Sequence, residues 1–304
     1  MADVNSKNRA LGLILVVLAT LCWSSSGIFI SFIVNGSGIS SLGLAFWRDL
    51  TTSVTLGVGL LLFAPQKLVV NRKDLVWLAG MGALSIGTFH VLWNTSVMTN
   101  GVAIATILQS NAPIFVTFAA YFIWREKLSV VKFLALIFSV IGTVLISDIN
   151  QLEQTHITTV GIVIGVASAI NYGTFSLFGK KLRGDYDSVT ILFYAFVFAA
   201  IVLFPFQLIL GDPVATLAPV ASTFILLILI STILGFGLYS TALKYLEAGV
   251  ASITAMSEIP FAAITSYIFL GERLSLWQIL GGILIVSGVL LVTIRFRKAP
   301  AKQV

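Results

Sequence analysis

Ten apolar runs, most of them near twenty residues long, occupy the greater part of this 304-residue chain. They lie at 11–34, 41–63, 75–98, 102–124, 129–147, 159–179, 189–210, 220–243, 250–270 and 275–294. A helix rising about 1.5 Å per residue needs roughly 20 apolar residues to cross the hydrocarbon core. Each run therefore predicts one transmembrane helix. The runs do not alternate with polar residues, which excludes a barrel, and the short connections leave no room for a soluble domain. With 58% hydrophobic and only 10% charged residues, the chain is neither a water-soluble enzyme, a disordered segment nor a coiled coil. The expected fold class is an all-α membrane protein.

The cations set the orientation. If the N-terminus is cytoplasmic, the inner segments hold Lys7 and Arg9; Lys67, Arg72 and Lys73; Arg125, Lys127 and Lys132; Lys180, Lys181 and Arg183; Lys244; and the tail residues Arg295, Arg297, Lys298 and Lys302. Only Arg273 falls outside and Arg48 inside a run, while Asp148, Glu153, Asp212 and Glu272 fall on the outer side. This bias predicts ten spans with both termini cytoplasmic, as in a multi-pass protein of the bacterial inner (plasma) membrane. The net charge of +6 is then a topology signal and not a nucleic-acid footprint. Lys7 and Arg9 before an apolar stretch resemble a secretory signal, but hydrophobicity resumes at Ile28-Phe29-Ile30, so the first run is expected to be a retained span. The single cysteine, Cys22, cannot form an internal disulfide.

The second half echoes the first. Gly12 to Trp23 aligns with Gly161 to Tyr172, Gly101-Val102-Ala103 with Gly249-Val250-Ala251, and Pro113 with Pro260. Arg125-Glu126-Lys127-Leu128-Ser129 matches Gly271-Glu272-Arg273-Leu274-Ser275, each followed by a helix with Gly142 or Gly288 at similar depth. The expected units are 1–148 and 149–304, five helices each. Because five is odd, the second unit enters the membrane from the opposite side. Such inverted repeats underlie alternating-access transporters, with the site near midplane between the halves.

These features resemble the drug/metabolite transporter superfamily, EamA type. The resemblance rests on the five-plus-five length, Leu21-Cys22-Trp23-Ser24, Phe46-Trp47-Arg48, and the stretch from proline to Glu-x-Leu-Ser that ends each half. It covers nearly the whole chain. The first copy departs from the pattern with Trp124-Arg125 where the second has Leu270-Gly271. The resemblance implies export of small metabolites, often amino acids.

Ionisable groups inside a bilayer cost about 2.5–3.5 kcal/mol each on insertion scales, so those present are candidate functional groups. Glu258, about eight residues into the ninth run, is expected to contact a substrate ammonium or to carry a coupling proton. Arg48 is a candidate for binding a carboxylate or forming an outer gate. Asp49, its neighbour, is expected to diverge from it by about 100° and not to pair with it. Pro113 and Pro260 each free a carbonyl four residues back, at Gln109 and Met256, and so predict helix breaks that present Gln109, Asn111 and Glu258. A small and polar stripe on the third helix, Gly80-Ala83-Gly87-His90-Asn94, is expected to face the bundle interior, with Trp93 beside it. Trp23 and Ser24 on the first helix, Asn171 and Tyr172 on the sixth, and Tyr239 on the eighth are expected to join them in an aromatic-lined pathway. Ser129 and Ser275 read as N-caps, with Ser275-x-x-Gln278 a capping box. Glu126 and Glu272 read as structural corners, and His156 as a loop residue.

The leading expectation is a secondary transporter exporting amino acids or similar zwitterions, with a small-molecule substrate and the lipid bilayer as its partners. Proton coupling is one option for its driving force. A membrane channel and an intramembrane enzyme stay open as alternatives. Two histidines and one cysteine offer no metal cluster, no cofactor motif is present, and no Walker A pattern occurs, so the reading names no metal, cofactor or catalytic residue.

Overall fold

The computed structural model describes residues 2–147, 158–271 and 273–295. His156, Asp148, Glu153, Glu272 and the tail cations Arg297, Lys298 and Lys302 lie outside the described residues. Fourteen α-helices follow one another: α1 (Ala2–Ser24), α2 (Ser26–Ser37), α3 (Ser41–Phe63), α4 (Leu75–Gly82), α5 (Phe89–Gln109), α6 (Ala112–Trp124), α7 (Val130–Ile146), α8 (Thr159–Leu182), α9 (Ser188–Leu210), α10 (Ala221–Leu226), α11 (Gly235–Ala242), α12 (Ala248–Ala255), α13 (Glu258–Leu270) and α14 (Leu276–Arg295). Among the described residues there is no strand.

Among the described residues, eight segments are long and apolar enough to cross a membrane: Lys7–Ser37, Leu75–Gly101, Ile104–Trp124, Thr159–Leu182, Ser188–Leu210, Val214–Ala242, Ala248–Phe269 and Leu276–Thr293. The shorter apolar helix α7 and the more polar α3 stand at the fifth and second expected positions. Side chains that would face acyl chains are bare on the outside; Phe63, Phe122 and Ile209 are 86%, 77% and 83% exposed. Helices turn into π-helix at Ala83–Thr88, between α4 and α5, and at Leu227–Leu234, between α10 and α11. These are equivalent places in the two halves, and wide turns of this kind occur often at functional sites.

Proline breaks the helices where the sequence predicts. α5 stops at Gln109 and α6 resumes at Ala112; α12 stops at Ala255 and α13 resumes at Glu258. Without water to satisfy freed carbonyls, each break must be closed locally. Ser110 Oγ donates to the Ile107 carbonyl at 2.7 Å, and Ser257 Oγ donates to the Thr254 carbonyl at 2.8 Å. Both predicted N-caps are present: Ser129 Oγ accepts from Lys132 N at 3.2 Å, and Ser275 and Gln278 exchange bonds of 2.8 and 3.2 Å.

The helices pair in a self-matching pattern. α3 packs on α9 and α7 on α14, while α1 packs on α11 as α8 packs on α5. α7 and α14 cross through glycine. A Cβ on Gly142 would stand 2.6 Å from the Gly281 carbonyl oxygen, and one on Gly281 would stand 2.5 Å from the Gly142 oxygen. One on Gly288 would stand 2.9 Å from the Ala135 oxygen. The sequence repeat maps Gly142 onto Gly288 and Ala135 onto Gly281, so it converts one contact into the other. Close backbone approach through small residues is a chief means of packing helices in lipid, where apolar side chains gain little by leaving the acyl chains. Gly142→Ala and Gly281→Ala should each destabilise the fold by about 1–3 kcal/mol, the usual cost of overpacking. Gly59→Ala, whose added carbon meets nothing within 4 Å, should be neutral or slightly stabilising. Unfolding midpoints in detergent check the contrast.

Candidate functional site

The first π-helical segment and the helices α1, α5, α8, α11 and α12 line a cavity. Trp23, at the end of α1, and Tyr172, on α8, are repeat mates, and both line it. Ser85 and Ile86 come from the first π-helical segment, Phe89 and His90 from α5, Phe175 and Ser176 from α8, Phe236 and Tyr239 from α11, and Ser252 and Ala255 from α12. Aromatic rings form most of the wall. Trp23 lies 5.0 Å from Phe236 and 5.1 Å from Tyr239 between ring centroids, and Phe175 lies 5.2 Å from Phe236. A second group sets Phe89 5.1 Å from Tyr172, 5.6 Å from His90 and 6.3 Å from Trp93. Tilted and edge contacts at these distances are favoured aromatic arrangements. Trp23 fits because position 235 is glycine; a Cβ there would stand 2.8 Å from the indole. Tyr239 and Ser176 share a 2.7 Å hydroxyl bond, and Ser85 shares one of 2.7 Å with Thr174.

The structure thus brings four of the expected residues, Trp23, His90, Tyr172 and Tyr239, to one cavity. The others stand elsewhere. Ser24 is buried and donates to the Leu21 carbonyl. Trp93 supports Phe89 from outside the wall. The amides Asn94, Asn111 and Asn171 each donate to a carbonyl one turn back in their own helix, at His90, Ile107 and Ala167, with bonds of 2.8–2.9 Å. Gln109 sits at the last position of α5 beside the break. Glu258 opens α13, one turn beyond Ala255, with neither a hydrogen bond nor an ion pair among the described residues. Its carboxyl is within electrostatic reach of Tyr172. In the repeat it corresponds to Asn111, whose amide is used up in closing the first break.

One expectation is corrected. Arg48 and Asp49 do pair, with Arg48 Nε 3.3 Å from Asp49 Oδ1. The 100° divergence holds for Cβ directions, but an arginine side chain is long enough to fold back along the helix. His90 completes the group: its Nδ1 lies 3.3 Å from Asp49 Oδ2, and its Nε2 is in contact with an Arg48 terminal nitrogen. Asp49 is fully buried. The signal in the sequence is an aspartate eight residues inside an apolar run, which such a run tolerates only with partners.

Glu126 is more than a corner. It is buried, and its two oxygens accept from the Ala248 and Gly249 amides at 2.8 and 3.3 Å, capping the start of α12. Lys132, 1% exposed, lies 3.5 Å from Glu126 and 2.7 Å from Glu247. Lys180 donates to the Leu246 carbonyl beside them. Arg125 holds the turn in the left-handed region, φ 54°, where its repeat mate Gly271 has φ 69°. A side chain in that conformation costs about 1–2 kcal/mol, and here it aims Glu126 at α12. The half-to-half contact is one-sided: α6 packs on α12, whereas their mates, α13 and the end of α5, have no comparable packing among the described residues.

A profile of the EamA-like transporter family matches this chain twice, over residues 10–148 and 159–294. The chain belongs to the EamA-like transporter family. It is 25% identical over 289 residues to YicL, an uncharacterized inner membrane transporter of Salmonella typhimurium, covering 94% of this chain and 96% of YicL. It is also 25% identical over 285 residues to a probable terminal-alkyne amino-acid exporter of Streptantibioticus cattleyicolor, with 92% of each covered. A crystal structure of another protein, 16% identical, shares the fold with a TM-score of 0.73 over 96% of this chain and 100% of that one.

This EamA-like protein is therefore a multi-pass membrane transporter, and the aromatic cavity is its candidate site. The Tyr239–Ser176 bond holds the wall in place, since α11 and α8 meet there. Tyr239→Phe and Ser176→Ala should each cost about 1 kcal/mol by stranding the other buried hydroxyl. The double variant should cost less than the sum. A double-mutant cycle on unfolding midpoints in detergent checks this.

Proposed function

We propose that this EamA-like transporter exports amino acids or similar small zwitterions across the bacterial inner membrane by alternating access. In this reading, units 1–148 and 149–304 are inverted five-helix repeats and both termini are cytoplasmic. All ten helical segments cross the membrane. At about 1.5 Å per residue, the 23 residues of α3 reach about 34 Å and the 17 of α7 about 26 Å. α3 is less apolar because it carries the Arg48–Asp49 pair, which is internally neutralised.

The observation that carries the reading is the one-sided contact between the halves. Glu126 caps α12 against α6, on the cytoplasmic side in this topology, whereas the equivalent pair has no comparable packing among the described residues. Two repeats that pack alike everywhere except at one end of a shared cavity suit a protein that exchanges which end is sealed. The wall supports this choice of cargo. It offers aromatic faces, hydroxyls and the imidazole of His90, and no lysine or arginine. Aromatic faces attract ammonium groups, and a cargo with several negative charges finds no cation there. Glu258, unpartnered beside Tyr172, receives the substrate ammonium. The relative named as an amino-acid exporter agrees with this class of cargo.

The test is an untargeted comparison of culture medium from cells expressing the wild-type chain, the Glu258→Gln variant or an empty vector. Wild type should raise one or a few small zwitterions severalfold, and Glu258→Gln should remove most of that rise. Identical media with wild type and empty vector, or a rise confined to polyanions, would contradict the proposal.

A further inference from the structure

The Arg48–Asp49–His90 group has a proton arrangement that its geometry dictates. An arginine nitrogen only donates, so the His90 Nε2 that meets it must be bare. The ring proton then sits on Nδ1, 3.3 Å from Asp49 Oδ2, a charge contact whose angle departs from that of a hydrogen bond. Asp49 thus receives one contact from each neighbour, and the group is electrically neutral, which suits a span with 13% exposure at the Arg48 side chain and none at Asp49. His90 alone of the three faces the cavity.

We propose that His90 is the residue that carries the coupling proton of the transport cycle, with Arg48 and Asp49 as its positioning residues. This rests on the transporter reading above. A proton from water in the cavity adds to the Nε2 lone pair and leaves hydroxide or neutral water behind, according to its source. The ring then holds a proton on each nitrogen and a charge of +1, which Asp49 faces. Two donors, the new Nε2–H and the Arg48 N–H, now point at one another, and the Arg48 contact breaks. Arg48 keeps its Nε bond to Asp49. When Nε2 returns the proton to water, Arg48 re-forms its bond. Proton occupancy is thereby tied to a contact between α3 and α5, which belong to the wall and its support.

The charged and titratable surroundings are few. α3 supplies Arg48 and Asp49, α8 supplies Tyr172 and α11 Tyr239 across the cavity, and Glu258 on α13 lies beyond Tyr172. α9, packed against α3, carries no charged residue.

Only His90 and His156 are histidines, so His156→Gln leaves a single imidazole. With ¹⁵N-histidine label in lipid nanodiscs and a histidine-free purification tag, NMR should show a neutral ring protonated on Nδ1 at pH 8. Acidification to pH 4 should add the Nε2 proton, and Asp49→Asn should give a mixture of tautomers at pH 8. A ring protonated on Nε2 at pH 8, or one that stays neutral to pH 4, would overturn the proposal. In proteoliposomes given a mixture of ¹⁴C-labelled L-amino acids and an internal pH dye, His90→Gln should lower the protons moved per amino acid at least tenfold. An unchanged ratio would overturn the proposal. No amino-acid movement by wild type would count against the cargo assigned under Proposed function, and the NMR result would still decide the role of His90.

Discussion

A bilayer offers no water to an interrupted helix, and that constraint governs where this protein can place chemistry. Each proline interrupts its helix, and at each break the serine three residues before it, Ser110 or Ser257, turns its hydroxyl back onto a carbonyl of the preceding turn. The two halves solve the problem alike up to that serine and diverge at the next residue. Asn111 spends its amide on the carbonyls of Ile107 and Leu108, whereas Glu258 has no donor to spend and is left unpaired. One break is inert and the other carries an acid, although both have the same backbone.

Symmetry and its violation share the remaining work. Paired crossings such as Gly142 with Gly281 and Gly288 with Ala135 hold the halves at backbone distance and leave nothing to slide. The Glu126 cap on α12 is the exception. A carboxylate at a helix start gains from the free amides and the helix dipole, and the buried Lys132 adds charge contacts to it and to the more exposed Glu247. Val116 and Ala120 of α6 also pack on Ala248 of α12, so separating the two helices breaks one carboxylate cap together with a small apolar cluster.

Much of this was legible in the sequence. The apolar runs, the doubled prolines, the serine caps and the Trp23–Tyr172 equivalence follow from period, composition and repeat, and each has a counterpart in the structure. Less legible was the use of polar side chains. Asn94, Asn111 and Asn171 look like pathway groups by position, but a short amide reaches its own helix first. Conversely, Arg48 folds back onto Asp49 and Glu126 reaches across to α12, contacts that helix-face arithmetic does not place, whereas His90 faces the interior as its stripe predicts. Phe175, Ser176 and Phe236 gave no warning, because an aromatic or hydroxyl that lines a cavity has the same spacing as one that only packs.

The central claim is that Glu126 seals the cytoplasmic way to the aromatic cavity. In a Cys22→Ala background, a cysteine at Ser252, on the cavity wall, can be tested with a membrane-impermeant thiol reagent applied to right-side-out or inside-out vesicles. Labelling should occur from the outside in that background, and Glu126→Ala should move it to the cytoplasmic side. Equal labelling from both sides before that change, or unchanged sidedness after it, would contradict the account.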